Sequence, residues 1–483
     1  MPTATLPTTL STDYFVVGSG AVGMAFVDTL LAESSATVVI VDRHHAPGGH
    51  WCDAYPFVRL HQPSAYYGVN SCPLGSHGKD ATGINVGMCE RASGAELLSY
   101  YEQVMQSFLA SGRVQYFPMC DYWGEIDGVH RFKSLTSGVV REVKASKRWV
   151  DTTYLQTAVP STHPPKYAIA PGLKCVPLNE LPRIKSAHSG YVVVGSGKTG
   201  IDACLWLLEN DVSPDAITWI MPRDAWYLNR ANVQPGQEFF VQSFGSFATQ
   251  MEAVADASSI DDWLQRMEAT DQFLRLDKNV QPGMFHGAIM SDSEVKLLSR
   301  IKGIVRMGRV LRIEPDAIVL ERGRVAADPQ RLYVDCSASA VVRRPIIPVF
   351  DGNKITPQFV RTVQPTFSAA LIAYVEAHYG DDAEKNKICA VVPLPDEPID
   401  WLRMQGVNMG NQYRWSRDKK LRAWIEASRL DGFSALADGV QEDEADKIAI
   451  LERFGQSAGR AVDNIKKLLA PPVPATVTAT ATV

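Results

Sequence analysis

Short apolar runs alternate along the chain with longer stretches of helical spacing, and one such alternation occurs twice. The first starts at Tyr14 to Val17, four apolar residues that predict a buried strand. A turn of small residues follows, then "MAFVDTLLAES", in which Met24, Val27, Leu30 and Leu31 fall on one helical face. "ATVVIVD" then predicts a second buried strand ending at Asp42. The second alternation lies 177 residues downstream: "GYVVV" as a strand, "IDACLWLLE" as a helix and "AITWIM" as the next strand. Each is a strand–helix–strand unit of the Rossmann kind, with strands apolar enough to be covered on both faces.

Elsewhere the pattern is less regular. A loop-rich stretch, "APGGHWCDAYPFVRLHQPSAYYGV", precedes a helix near 95–110, and a proline-rich joint, "VPSTHPPKYAIAPG", leads to the second unit near Ser189. Helical spacing in "IDDWLQRMEATDQFL" and "DSEVKLLSRIKGI" interrupts that unit over 231–299. Short strands return in "GIVRMGRVLRIEPDAIVLERG" and "LYVDCSA", where the chain is expected to re-enter the first unit. "FSAALIAYVEAHY" and "KKLRAWIEASRL" predict helices. The expected class is α/β, with two Rossmann-like dinucleotide-binding domains, the second inserted in the first, and a mostly helical C-terminal region. The expected divisions are a disordered lead (1–12), the first domain (13–160), the second (161–330), its return (331–395), C-terminal helices (396–470) and a low-complexity tail (471–483).

The turns between strand and helix carry the chemistry. Gly18, Gly20 and Gly23, with Ser19, Ala21 and Val22 between them, spell G-x-G-x-x-G, and Gly195, Gly197 and Gly200 repeat it. One glycine permits the tight turn, one lets backbone approach a pyrophosphate, and one lets the helix pack on the sheet. The helix start then offers free N–H groups and a partial positive charge to phosphate. The "GKT" of the second copy is not the tail of a P-loop, because the position of that motif's first glycine is Val192, inside a strand. Asp42, 19 residues beyond Gly23, is placed to accept hydrogen bonds from a ribose. In the second copy the strand ends in "PRD", and Arg223 suits the 2′-phosphate of NADP or is a solvent-facing loop residue. Lys198 and Thr199 stand at the same turn. An acid-ended site for FAD and an arginine-ended site for NADPH are therefore expected.

Charge and cysteines narrow the field. A net charge of −5 and a pI near 6.1 give no electrostatic reason to expect nucleic acid or an anionic membrane as partner. No apolar run reaches the length of a membrane span, and "MPTATLPTTLSTD" lacks the features of a signal or transit peptide. The eight cysteines are scattered without C-x-x-C or zinc spacing, which indicates reduced thiols, a cytoplasmic location and no redox-active pair of the disulfide-reductase kind. The ten histidines show no H-E-x-x-H or comparable spacing, so no metal site is expected.

Six residues beyond Asp42 stand Gly48, Gly49, His50 and Trp51, a G-G-x-W sequence. With the two glycine turns, it makes residues 13–345 resemble the two-nucleotide flavoproteins of the flavin-containing monooxygenase type. The chain departs from that pattern in places. "LKCVPLNELPRIKSAHSGY" lacks the phenylalanine–glycine–histidine motif of Baeyer–Villiger members, which counts against ketone oxygenation. Asp335, Cys336, Ser337 and Ala338 stand where A-T-G is common at the end of the last flavin-domain strand, and "VDTTYL" replaces a small-residue pattern. The resemblance implies that NADPH reduces FAD, that O₂ adds at flavin C4a, and that the hydroperoxide oxygenates N, S or an electron-rich carbon of a small molecule. It places Gly49, His50, Trp51 and Arg43 with the FAD, Asp335 at a ribityl hydroxyl, and Gln62, Asn70 and His61 against the flavin. Gln62 and Asn70 are the candidates for a part in catalysis. An FAD dehydrogenase or oxidase without oxygen insertion, and a flavin-binding redox sensor, remain the alternatives. Trp226, Tyr227, Phe239, Phe240, Phe244, Trp401, Tyr413 and Trp415 are available to line a pocket or a core.

Overall fold

The computed structural model describes residues 9–470 apart from 156, 158 and 339–342; the first eight residues of the expected lead and the whole expected tail, 471–483, lie outside the described residues. Continuous apolar runs become strands buried on both faces. β1 (Thr9–Val17), α1 (Ala21–Glu33) and β2 (Val38–Val41) form the first crossover, followed by α2 (Gly94–Ala110) and β3 (Val114–Phe117). A hairpin of β4 (Cys120–Ile126) and β5 (Val129–Ser134) leads into the long β6 (Val140–Asp151). β1 lies between β2 and β6, parallel to both, with Val17 opposite Val41 on one side and Asp151 on the other. Residues 9–12, expected as lead, extend β1 and pair with Glu142 to Ala145.

After β7 (Ala168–Ile169), the second unit starts with β8 (Cys175–Pro177) and β9 (Tyr191–Val194), then α3 (Lys198–Glu209) and β10 (Ile217–Ile220). Its five-stranded sheet is parallel throughout and is completed by strands Gly303–Val305 and Leu332–Asp335. Leu332–Asp335 therefore closes the second sheet, and Asp335 does not end a strand of the first. The chain returns to the first sheet through Phe350–Asp351 and Lys354–Ile355, the latter parallel to β6. "LYVD" is buried on both faces, and such a strand suits either sheet equally well by pattern. The fold is the one the sequence predicts: two Rossmann-like units, the second inserted in the first, with helices after them.

The registers show how closely the units repeat. Val194 faces Ile220 and Asp335, as Val17 faces Val41 and Asp151. Asp335 is thus the counterpart of Asp151, Met221 of Asp42, and Arg223 of His44.

The interruption at 231–299 is helical, with α4 (Phe240–Ala255), α5 (Ile260–Ala269) and α6 (Asp292–Leu298), but its strands Phe273–Leu274 and Ile289–Met290 also form a three-stranded sheet with Tyr227–Asn229 just before it. α7 (Pro365–His378) packs along α1 and is apolar on nearly every side. Then come α8 (Asp382–Ile388), α9 (Ile399–Arg417), α10 (Lys419–Ala427), α11 (Ser434–Asp438) and α12 (Ala445–Leu468). α12 lies along α4, so the C-terminal helices and the interruption share one core that includes Trp226, Trp263, Phe273, Trp401 and Ile465. Trp226, Tyr227, Phe240, Phe244, Trp401 and Trp415 are buried, whereas Tyr413 is exposed. Among the described residues no helix is long and apolar enough to cross a membrane.

Candidate functional site

The two glycine turns have nearly the same geometry. Gly20 precedes α1 with φ −73° and ψ −178°, and Gly197 precedes α3 with φ −79° and ψ −175°. Among the described residues no side chain caps either helix, whereas α2 and α6 each begin in a capping box, Ser93 with Glu96 and Ser291 with Glu294. The first-turn N–H groups of α1 and α3 are thus left for an acceptor from outside, on the positive end of the helix dipole. A Cβ on Gly23 would come 2.1 Å from the Gly18 carbonyl oxygen, and one on Gly200 equally close to that of Gly195. These glycines let each helix seat on its strand. Ala21 is buried and Val22 half-buried at the start of α1, while Thr199 is half-buried on α3.

Around the first turn the protein supplies its own partners. Asp42, buried at the end of β2, accepts from the Ser19 N–H at 2.5 Å, Ser19 Oγ at 2.9 Å, and the N–H and Nδ1 of His44, both at 2.8 Å. Four donors use the acceptor positions of a carboxylate. The expected free acceptor for a ribose is therefore engaged, and a ribose hydroxyl must exchange with one of these donors. His44, only part-buried, bridges on to Asp53 at 2.9 Å. Hydrogen bonding to Asp42 raises its pKa to about 9, against the opposing effect of burial and with help from Asp53. Burial pushes the Asp42 carboxyl up, but His44 and Ser19 more than reverse this and hold it low.

The G-G-x-W segment closes on the same turn. The Gly48 N–H donates to the Ser19 carbonyl at 2.9 Å, and a Cβ on Gly49 would lie 2.8 Å from Gly20 Cα. Backbone meets backbone here, and Gly49, at φ +58°, is the side that has no room for a side chain; a Cβ on Gly20 would lie 3.5 Å from Gly49 Cα. His50 packs on Trp51, with ring centroids 4.7 Å apart, and burial lowers its pKa to about 4. Trp51 Nε1 donates to Tyr67 Oη at 3.2 Å. Arg43 does not turn inward: it is exposed and pairs with Asp121 at 3.2 Å.

At the second turn, Gly197 is exposed, and a Cβ there would meet nothing within 4 Å. Ser196 Oγ donates to the Arg223 carbonyl at 2.9 Å, while the Arg223 guanidinium donates to Asp396 at 2.7 Å. Lys198 does not stay at the turn with Gly197 and Thr199. Its side chain runs inward to Asp202, which also accepts from Tyr55 Oη at 2.5 Å. Beside this pair a polar cavity of about 10 Å³ is lined by His61, Lys198, Asp202, Arg230 and Glu294, with apolar neighbours. Arg230 donates to the His61 carbonyl and pairs with Glu294 at 2.9 Å, and Asn85 Nδ2 donates to Glu294 at the same distance. Burial drives the His61 imidazole far below its usual range, with Lys198, Arg230 and Arg91 adding to the effect, so it is neutral. His61 and Lys198, expected at separate cofactors, thus meet in one seam between the two units.

The remaining expected residues divide. Gln62 is buried, and its Nε2 has no hydrogen-bond partner among the described residues. Asn70 accepts from Ser428 Oγ at 2.9 Å, and its neighbour Ser71 donates its N–H to Asp28 at 3.0 Å. Asp28 lies eight residues beyond Gly20, about 12 Å along the helix at 1.5 Å per residue. Asn70 is thereby anchored beside the body of α1 and not at its start. Asp335 is buried in the second unit, where it accepts from Tyr167 Oη at 3.1 Å and Ser337 Oγ at 2.6 Å, which removes it from the ribityl position expected for it.

No family model matches the chain. The uncharacterized protein Rv2000 of Mycobacterium tuberculosis is 48% identical over 469 residues, covering 97% of this chain and 86% of that protein. The uncharacterized protein Mb2023 of Mycobacterium bovis matches with the same values. The chain belongs to their family. Solved structures of similar chain path include open cyclohexanone monooxygenase, at 12% identity and a TM-score of 0.48 over 93% of this chain and 98% of that one. S-allyl-L-cysteine S-oxygenase from Allium sativum has 12% identity and a TM-score of 0.46, over 93% and 99%.

For this family member the residues fit a dinucleotide at each turn. Both helix starts are uncapped, and the first turn needs one exchange, in which part-exposed His44 gives up Asp42. Several residues of the sites carry no signal in the local pattern: Tyr55, Asp202 and Arg230 in the seam, and His286, Arg343 and Asp396 beside Arg223. Glu294 is the exception, since S-x-x-E from Ser291 announces a helix start.

Proposed function

We propose that this chain is a cytoplasmic FAD-dependent, NADPH-driven monooxygenase that uses O₂ to oxygenate a small organic substrate at N, S or C. The observation that carries the reading is the duplication: two glycine turns of matching geometry, each opening an uncapped helix, with different residues after the second strand. One unit has Asp42 there and the other has Met221 followed by Arg223. A carboxylate suits a ribose diol, and an arginine suits a phosphorylated one.

FAD would be held by Gly18, Gly20, Ala21, Val22 and Gly23, with Asp42 taking a ribose hydroxyl in place of His44. NADPH would be held by Gly195, Gly197, Thr199 and Gly200, with Arg223 at the 2′-phosphate. Bound FAD supplies the electron transfer and oxygen chemistry, as is general for cofactor enzymes. The chain's own residues bind, orient and exclude water. The free N–H groups of α1 and α3 take pyrophosphate oxygens. Gln62 Nε2, buried without a partner, is a donor available in the loop that follows Trp51. Trp51, Tyr55, Tyr66 and Tyr67 are buried and keep water from that loop. Tyr55, bonded to Asp202 on α3, ties the loop to the second unit.

The test is made on purified protein saturated with FAD. Mixed with NADPH under nitrogen, it should lose the visible flavin band. On admission of ¹⁸O₂ with a panel of amines and thioethers, label should enter an organic product. Flavin reduction followed only by hydrogen peroxide release would instead make it an oxidase, and absence of FAD binding would overturn the reading.

A further inference from the structure

Arg223 is not alone at its carboxylate. Asp396 Oδ1 accepts from Arg223 Nη2 at 2.7 Å and from His286 Nε2 at 2.9 Å, and Arg343 Nη2 lies 3.2 Å away. The three side chains come from separate places: the loop after β10, the interruption, and the segment following Leu332–Asp335. All three are substantially exposed, at 40%, 47% and 56%. Asp396 comes from the segment before α9 and is held from both sides. Its carbonyl accepts from the Phe285 N–H at 2.7 Å, and its N–H donates to Asp400 at 2.9 Å.

Two hydrogen-bond donors, Arg223 and His286, converge on one of the two carboxylate oxygens, and the Arg343 guanidinium adds a second full positive charge beside it. The two guanidinium charges beside it exceed the single charge of the carboxylate. A phosphate monoester has three terminal oxygens and up to two negative charges, so it accepts from each donor separately and neutralises more of their charge. In the fold, the cluster lies just past the end of β10, in the loop where the second unit departs from the first.

The geometry points to a phosphate-monoester site formed by Arg223, His286 and Arg343, which Asp396 holds closed as an internal competitor. The identity of the ester rests on the proposed reading of the second turn: it is the 2′-phosphate of the coenzyme. That phosphate must displace Asp396 to reach Arg223, so the C-terminal segment limits the preference for the phosphorylated coenzyme. Removing the charge of Asp396 opens the site without touching the glycine turn.

Calorimetric titration of the full-length protein tests this with three probes: adenosine 2′,5′-bisphosphate, 5′-AMP and inorganic phosphate. Asp396→Asn should bind the bisphosphate roughly ten- to a hundredfold more tightly than the unaltered protein, with 5′-AMP unchanged. Adding Arg343→Ala should reverse most of that gain. Equal effects on the bisphosphate and 5′-AMP, or no gain with any phosphate probe, overturn the inference. If no nucleotide binds any variant but inorganic phosphate binds Asp396→Asn more tightly, the phosphate site stands and the coenzyme reading falls.

Discussion

Gly197 and Gly200 lie three residues apart in one turn, yet alanine should act differently at the two. At Gly197 the backbone is extended, with φ −79° and ψ −175°, a conformation open to any residue. An added Cβ meets nothing within 4 Å. Replacing glycine lowers the freedom of the unfolded chain, a gain of about 0.4–1 kcal/mol. Alanine is a poorer N-cap than glycine by a similar amount, so Gly197→Ala should change stability by less than about 1 kcal/mol. At Gly200 the Cβ would sit 2.1 Å from the Gly195 carbonyl oxygen. Relief requires α3 to move off its strand, and overpacking of this kind costs about 1–3 kcal/mol or more. Coenzyme binding should follow another order. If the pyrophosphate lies against the start of α3, a methyl group on Gly197 separates it from the N–H groups. Loss of one or two hydrogen bonds to charged phosphate, each worth about 1.5–3 kcal/mol, weakens binding by at least roughly tenfold. Thermal denaturation and calorimetric titration with NADPH on the same preparations check both numbers. A folded Gly197→Ala protein that binds NADPH within about threefold of the unaltered one refutes the placement of the pyrophosphate.

Three further outcomes are expected. The His44 bridge, with its pKa raised to about 9 from 6.5, contributes stability that is complete below 6.5 and lost as pH rises through 9. His44→Ala should therefore be less stable than the unaltered protein by on the order of 2 kcal/mol near pH 6, with no difference near pH 10; a pH-independent difference in denaturant midpoints sinks the idea. Burial pushes the Glu294 carboxyl up, but Arg230 and Arg91 override it and hold the pKa at about 2, so its contribution is present above the usual 4.5 and fades as pH falls through 2. Glu294→Gln leaves Arg230 buried beside a neutral partner and should cost about 3–5 kcal/mol in urea denaturation, whereas a cost below about 1 kcal/mol would mean that the pair is solvated. All eight cysteines are unpaired, so serine at half-buried Cys52, Cys72, Cys89 or Cys175 should leave the proposed NADPH-driven flavin reduction intact. Its abolition in a folded variant would show a dithiol step instead.

Some of this molecule follows from short stretches of sequence. Strands β1, β2 and β9 form where four apolar residues run together, and β10 where Thr218 alone breaks such a run, since a run of this kind can hide only inside a layered sheet. The glycine turns are equally local: Gly23 must clear a carbonyl five residues back, and Gly200 another at the same distance. A steric requirement over five residues leaves a mark that can be read in the sequence.

What the tertiary structure decided is where distant surfaces meet. Asp42 stands at the expected strand end, but Ser19 and His44 occupy its oxygens. "LYVD" is an unmistakable strand, yet its place in the second sheet depends on the edge left free by β9. Asn70 and His61 occur in one loop of twelve residues, and one is drawn to α1 and Ser428 while the other joins the seam with Lys198 and Arg230. Asp396 reaches Arg223 across 173 residues, and α12 covers α4 across some 200. Periodicity records which face of an element is apolar, because that choice is made within a few residues. It holds no record of which face or which charge will be the partner, because burial and ion pairing depend on the sum of contacts from every segment that reaches the same place.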